Sequence, residues 1–129
     1  MKHDAVLAVT SPLSILLLTL HVTDDIVRGI SKAESSNIAL LVLVAFLYGT
    51  LVLSERRSGY VIILVLSLLA LGVPFIHMRG KGVGVASGIA NSSGGFFFVW
   101  TLIALGVTGL FSVILSARGL WGLSWRRPR

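Results

Sequence analysis

The chain has 129 residues, of which 55% are hydrophobic and 12% charged, and its mean hydropathy is +0.94. This composition excludes an ordinary soluble domain of this size, which needs far more polar surface. The sequence contains no cysteine, which excludes disulfides, thiolate metal sites and thiol redox chemistry. The net charge of +6 does not indicate a nucleic-acid partner, because most basic residues flank apolar segments, where they act as topology signals. We therefore expect an integral membrane protein whose main partner is the lipid bilayer.

Four apolar runs, taken in chain order, predict four membrane-spanning α-helices. A hydrocarbon core about 30 Å thick needs roughly 20 helical residues, and irregular backbone in lipid would leave polar groups unpaired. With their flanking residues, the runs give helices at about 5–28, 32–54, 59–77 and 95–118. The predicted fold is all-α, an integral membrane four-helix bundle that forms a single domain over 1–129.

The first apolar run is expected to be retained as a helix rather than cleaved as a signal peptide. Its charged start is weak, and no small-residue cleavage pattern follows Leu20. The polar residues after it are expected to continue the helix past the membrane until Gly29, a residue type that suits a helix end.

The connections between the runs carry further local signals. Ser31 and Glu34 have the spacing of a capping box, which predicts that the second helix starts near Lys32. The connection at 77–95 contains six glycines and is expected to be flexible or packed close to other backbone. The segment 119–125 is expected either to lie along the membrane surface or to continue the fourth helix.

Basic residues in the short connections predict the orientation. One side of the predicted bundle carries seven Lys or Arg, namely Lys2, Arg56, Arg57, Arg118, Arg126, Arg127 and Arg129. The other side carries four, namely Arg28, Lys32, Arg79 and Lys81. The positive-inside rule therefore predicts a multi-pass protein of the inner (plasma) membrane of a bacterium, with both termini in the cytoplasm.

Six polar residues are predicted to meet at the outer end of the bundle. Four of them recur at positions i, i+3, i+4 and i+7 of a continuing first helix, and so share one face: His21, Asp24, Asp25 and Arg28. Two arrive at the same depth from the third helix: His77 and Arg79.

This polar cluster is compatible with several kinds of chemistry. A histidine and a carboxylate one turn apart, with a histidine from a neighbouring helix, can ligate one metal ion, so His21, Asp25 and His77 are candidate metal ligands. Acidification should then release the ion, because protons compete for the imidazoles. The same group could relay protons, or its arginines could hold an anionic headgroup. Alternatively, Asp25 and Arg28 pair with charges in the first connection and the histidines are ordinary interfacial residues.

Polar, small and aromatic residues elsewhere are expected to serve packing and anchoring. Five hydroxyl groups should form interhelical or same-helix hydrogen bonds: Thr19, Ser67, Thr101, Thr108 and Ser112. Three glycines should allow helices to approach closely: Gly72, Gly106 and Gly109. Aromatic residues near the ends of the runs, Phe98 and Trp121 among them, are expected to anchor the helices at the membrane interfaces.

Three strings carry a resemblance to known sequences: TDDIVRG at 23–29, LYGTLVL at 47–53 and HMRG at 77–80. They resemble strings in small bacterial membrane proteins that have four transmembrane helices and no assigned activity. The resemblance covers most of the chain and implies four helices but no particular reaction. The chain is also similar in size and helix count to small multidrug transporters, yet it departs from them because its first helix contains no glutamate. DoxX-type membrane proteins are similar in length, but no motif ties this chain to them.

Three functional classes remain. No motif specifies a reaction, so the first expectation is a non-enzymatic accessory subunit, or a protein that forms a homo-oligomer or a larger membrane complex. The second is a metal- or ligand-binding site at the outer membrane face, built on His21, Asp25 and His77. The third is a small transporter, although no Asp, Glu, Lys or Arg lies at the centre of any apolar run. The sequence leaves any substrate or cofactor open.

Overall fold

A computed structural model describes residues 2–32, 38–79 and 89–125, and all regular structure within them is helical. The helices, in chain order, are α1 (Lys2–Val27), α2 (Ile38–Leu51), α3 (Arg57–Arg79), a short 3-10 helix (Ile89–Asn91) and α4 (Gly95–Trp125). The predicted all-α class with four main helices is confirmed. The predicted capping box includes Glu34, and the glycine-rich connection includes 80–88, so both fall outside the described residues.

Three of the four main helices have the length and composition of membrane spans. They are α1, α3 and α4, with mean hydropathies of 2.0, 2.5 and 2.2 over their most apolar windows. The fourth, α2, is apolar but has only 14 described helical residues, about 21 Å of helix. Large apolar side chains are exposed on every one of these helices, for example Leu16, Leu41, Leu69 and Phe111. Such a surface is typical of a protein surrounded by lipid, because in water it would drive association.

The first helix ends where the sequence predicted. Gly29 has a φ of +73°, a conformation that glycine adopts without a Cβ clash. The Gly29 N–H donates to the carbonyl of Ile26 at 3.0 Å, and the Ile30 N–H donates to that of Asp25 at 2.8 Å. This pair of bonds is a Schellman motif, which satisfies carbonyl groups that the last helical turn would otherwise leave free.

The four helices pack as a bundle in which α4 lies against α1 and α3, and α2 lies against the same two helices. Every helix contributes to a central apolar layer, which contains the buried residues Leu17, Leu18, Ala70 and Leu105, flanked by Val42 and Leu43 of α2. A second apolar cluster lies nearer the N-terminus of α1 and includes Leu7, Phe46 and Tyr60. The segment 119–125 continues α4, which was one of the two alternatives that the sequence left open.

Most of the small and hydroxyl residues singled out in the sequence serve the packing as expected, and the two exceptions are Gly72 and Ser67. Gly109 lies against the α3 backbone near Ser67, whereas a side chain at Gly72 would meet nothing within 4 Å. Ser112 donates to Thr10 of α1, and three other hydroxyls donate to carbonyls of their own helix: Thr19, Thr101 and Thr108. The Ser67 hydroxyl is buried and has no hydrogen-bond partner among the described residues, so the bond predicted for it is missing.

Candidate metal centre

Two helices bring three candidate ligands to one end of the bundle. This end, which we call the histidine end, is formed by the C-termini of α1 and α3 and the N-terminus of α4. His21 and Asp25 lie one turn apart on α1, and His77 lies in the last turn of α3. Each of these residues offers one ligand atom, and the three atoms lie within 4.8 Å of one another. The structure therefore brings together the three residues that the sequence singled out as metal ligands; that they bind a metal stays a prediction.

The carboxylate of Asp25 lies between the two imidazoles. Its Oδ2 atom is 3.5 Å from His77 Nε2 and 3.8 Å from His21 Nε2. The two rings meet edge to face, with centroids 4.8 Å apart. His21 is 1% exposed and His77 is 8% exposed, so both lie inside the protein rather than at its surface. This burial argues against the alternative in which the histidines are ordinary interfacial residues.

Unpaired polar atoms concentrate in this cluster. Four buried side-chain atoms of the described residues have no hydrogen-bond partner, and three of them belong to His21 (Nε2), Asp25 (Oδ1) and His77 (Nδ1). Leaving such an atom unsatisfied costs about 1–3 kcal/mol. A cation beside Asp25 Oδ2 would accept the Nε2 lone pair of His21, whereas the unpaired Nδ1 of His77 is not the ring nitrogen that faces Asp25.

Helix polarity also favours a cation at this position. Asp25 lies in the last turn of α1 and His77 in the last turn of α3, so both are close to helix C-termini. A helix C-terminus carries roughly half a negative charge, and its effect is strongest within the last turn. Two such ends and one carboxylate lie beside the ligand atoms, while the N-terminus of α4 at the same end carries the opposite partial charge.

The other predicted members of the polar cluster have their own hydrogen-bond and stacking partners. Arg28 Nε donates to Asp24 Oδ2 at 2.8 Å, so these two residues pair with each other. The same guanidinium donates to the Ser92 hydroxyl at 3.0 Å and to the Ser93 carbonyl at 3.1 Å. Arg79 stacks on the ring of Phe75, 4.2 Å from its centroid, on its own helix. The predicted polar face is thus divided into a three-residue cluster and an Arg28 link between α1 and the segment before α4.

Two residues of α4 contact the cluster although the sequence gave them other roles. Phe98 was expected to be an interfacial anchor, but it is fully buried, with its ring centroid 5.1 Å from that of His21 and 5.4 Å from that of His77. Thr101 was assigned to helix packing, but its hydroxyl oxygen also lies 3.5 Å from His21 Nδ1. The run that contains them is apolar on all sides, so no periodic signal shows which face of α4 points inward.

The donor set and its distances suit a divalent transition metal. Two imidazole nitrogens and one carboxylate oxygen are ligands of zinc, and a tetrahedral zinc ion with ligands at 2.0–2.2 Å separates its donors by about 3.3 Å. The two distances from Asp25 are within about half an ångström of that value, and the two imidazole nitrogens, which lie within 4.8 Å of each other, would move closer around an ion. No fourth His, Asp or Glu of the described residues joins the group. The fourth position would then be taken by water or by an exogenous ligand.

Comparison with known proteins does not add a family to this picture. No protein-family model, curated protein or solved structure matches the chain at a significant level. The likeness to small bacterial four-helix membrane proteins therefore stays a prediction, and the candidate site is assigned on the chemistry and geometry of its own residues.

Proposed function

We propose that this protein is a multi-pass membrane protein that binds one divalent transition-metal ion through His21, Asp25 and His77. The observation that carries the proposal is the convergence of two buried imidazoles and one carboxylate from α1 and α3 within 4.8 Å. The Asp25 carboxylate between the two imidazoles and the unpaired Nε2 of His21 support a cation as the occupant. The mixed nitrogen and oxygen ligands favour zinc and its neighbours over magnesium and calcium, which prefer oxygen alone.

The proposal includes a position for the site relative to the membrane. With both termini cytoplasmic, the C-termini of α1 and α3 face the outside, so the metal ion would be held at the outer surface of the inner membrane. The support is the excess of Lys and Arg on the opposite side of the predicted bundle. The exposed apolar side chains of α1, α3 and α4 support insertion of these helices into lipid.

Metal uptake by the purified full-length chain tests the proposal. The protein would be prepared in mild detergent with an affinity tag that contains no histidine, treated with a chelator and dialysed against zinc, with magnesium as the comparison ion. We expect inductively coupled plasma mass spectrometry to measure one bound zinc ion per chain. We also expect a loss of at least tenfold in affinity in His21→Gln and His77→Gln, because each variant removes one of three ligands.

The remaining histidine of the sequence, His3, is the matched control. His3 lies at the opposite end of α1, so His3→Gln should bind zinc like the wild type. Circular dichroism would verify that each variant keeps its helical content. The proposal is overturned if the folded wild type takes up no zinc, or if His21→Gln and His77→Gln bind zinc as tightly as His3→Gln.

Metal binding does not require catalysis, so the site is compatible with the expected role as an accessory or oligomer-forming subunit. Three ligands held at the ends of two helices could fix the arrangement of the bundle for a partner, or could present the ion to an exogenous ligand. Native mass spectrometry of the same preparation would report homo-oligomers, partner subunits and retained metal in one spectrum.

A further inference from the structure

We infer that Thr101 of α4 is a positioning residue of this site, which holds His21 in the tautomer whose Nε2 lone pair is free for a metal ion. The inference rests on the proposed function for its purpose, but the state of His21 that it describes exists in the metal-free protein. It makes α4 part of the site although α4 supplies none of the three ligands.

The hydrogen bonds of Thr101 determine whether its hydroxyl oxygen acts as donor or acceptor toward His21. The side chain is 1% exposed, so water does not compete for it. Its hydroxyl donates to the carbonyl of Phe98 at 3.0 Å, which commits its single proton. Toward His21 Nδ1, 3.5 Å away, the oxygen can therefore act only as an acceptor.

An acceptor at Thr101 favours the imidazole proton on Nδ1 of His21, and Asp25 Oδ2, 3.8 Å from Nε2, is the competing acceptor. A neutral imidazole carries its proton on one nitrogen and a lone pair on the other. If Nδ1 carries the proton and points to Thr101, the lone pair is on Nε2. That nitrogen is the one that lies 3.8 Å from Asp25 Oδ2, on the side where the ligand atoms converge.

The two histidines are therefore held differently. His77 Nδ1 has no hydrogen-bond partner among the described residues, and its ring contacts are with His21 and Phe98. A metal-binding histidine usually donates its second N–H to a fixed acceptor, and loss of that acceptor typically costs 10–100-fold in metal affinity. His21 has such an acceptor in Thr101, so a change at Thr101 should act on the metal through His21.

A series of substitutions separates this role from simple packing. Thr101→Val replaces the hydroxyl by a methyl of similar size, and Thr101→Ser keeps the hydroxyl. Thr108→Val is the matched control, because the Thr108 hydroxyl on the same helix donates to the Ala104 carbonyl at 3.0 Å. The other acceptor of the Thr108 hydroxyl is the Leu105 carbonyl, so its hydrogen bonds remain within α4.

The first readout is the tautomer of His21 in the metal-free, full-length protein in detergent. Nitrogen-15 NMR of labelled histidine at alkaline pH, with signals assigned through His3→Gln and His77→Gln, reports which ring nitrogen carries the proton. We expect Nδ1–H in the wild type, in Thr101→Ser and in Thr108→Val, and a mixture or the Nε2–H form in Thr101→Val. An Nδ1–H tautomer that persists in Thr101→Val would overturn the inference.

The second readout is zinc affinity, measured by competition with a chromophoric chelator. We expect Thr101→Val to bind zinc about 10–100-fold more weakly, with Thr101→Ser within a few-fold of wild type and Thr108→Val unchanged. Equal affinities in Thr101→Val and Thr108→Val would overturn the positioning role. A wild type that shows the Nδ1–H tautomer but binds no zinc would overturn the proposed function and leave the tautomer assignment standing.

Discussion

Asp25 is the residue on which the charge balance of the histidine end depends. Its carboxylate is 14% exposed, and the nearby guanidinium of Arg28 is bonded to Asp24, with Nε at 2.8 Å from Asp24 Oδ2. Among the described residues, the close charged-group contacts of Asp25 are with the imidazoles of His21 and His77. The adjacent acids Asp24 and Asp25 thus have different tasks, one in linking helices and the other in the candidate site.

Replacing each acid by its amide separates these two tasks. In Asp25→Asn we expect zinc affinity to fall more than tenfold, because the anionic ligand is lost, and the stabilisation by zinc to fall by more than about 1.3 kcal/mol. An ion at 100 times its Kd stabilises a fold by about 2.7 kcal/mol, so the change is measurable as a shift of the unfolding midpoint with and without zinc. Asp24→Asn should keep the zinc-dependent shift. A full zinc-dependent shift in Asp25→Asn would remove Asp25 from the ligand set.

Sequence periodicity predicted the site residues only in part. The one-turn spacing of His21 and Asp25 predicted their shared face, and the positions of the apolar runs predicted the depth of His77. Phe98 and Thr101 had no comparable signal, because the side of an evenly apolar helix that faces inward is decided by packing with its neighbours. The division of Asp24 from Asp25 also depends on packing, since it follows from where Arg28 finds acceptors at 92–93.

At the scale of elements, Arg28 ties the end of α1 to the start of α4. Its guanidinium bonds Asp24, the Ser92 hydroxyl and the Ser93 carbonyl, and it lies 5.5 Å from the centroid of the Phe98 ring. Phe98 in turn contacts both histidine rings. The link therefore holds the buried ring of α4 next to the candidate ligands.

Removing this link should destabilise the bundle. For Arg28→Ala we expect a loss of about 1.5–3 kcal/mol, the range for one hydrogen bond to a charged group, because three bonds are lost but the side chain is partly exposed. Arg28→Lys should recover little, since a lysine cannot reproduce the planar fork of donors. Denaturation in mixed detergent micelles would measure the free energy of unfolding of both Arg28 variants. The control is Arg79→Ala, which removes a cation stacked on the exposed Phe75 and should change stability by a few tenths of a kcal/mol.

Two glycines of α4 give a matched test of the contact between α3 and α4. A Cβ at Gly119 would clash with the ring of Tyr60, which is buried in the core, whereas one at Gly122 would meet nothing within 4 Å. We expect Gly119→Ala to lose about 1–3 kcal/mol through overpacking. Gly122→Ala should gain up to about 1 kcal/mol, because alanine favours the helix more than glycine does. Equal effects of the two substitutions on the unfolding midpoint would contradict this packing of α4 on Tyr60.

The elements themselves were predictable wherever the signal was local. Gly29 ends α1 as expected, because the backbone there adopts a positive φ and glycine is the residue that adopts it without strain. The end of α2 at Leu51, before the predicted 54, follows from a turn in which the Leu53 N–H bonds the Tyr48 carbonyl and Glu55 adopts a φ of +64°. No residue in that turn has the glycine signal that marks the end of α1.

At the scale of the whole molecule, the proposed orientation makes a direct prediction. Reporters fused after Arg57 and after Arg129 should give cytoplasmic activity, and reporters inserted within 82–94 should give activity outside, because basic residues are retained on the cytoplasmic side. Paired alkaline phosphatase and green fluorescent protein fusions at each position would measure this. Opposite signals at all three positions would place the histidine end in the cytoplasm.

The central apolar layer has a consequence for the movement of an ion held at the histidine end. Leu17 and Leu18 lie one turn before His21 on α1, and Ala70 of α3 and Leu105 of α4 complete the same buried layer. Carrying a bare divalent ion through such a layer would cost on the order of tens of kcal/mol. The layer therefore acts as an electrical insulator beneath the site. If the proposed insertion and metal site hold, an ion bound by His21, Asp25 and His77 would leave on the side from which it entered, and its occupancy would follow the metal concentration on that one side of the membrane.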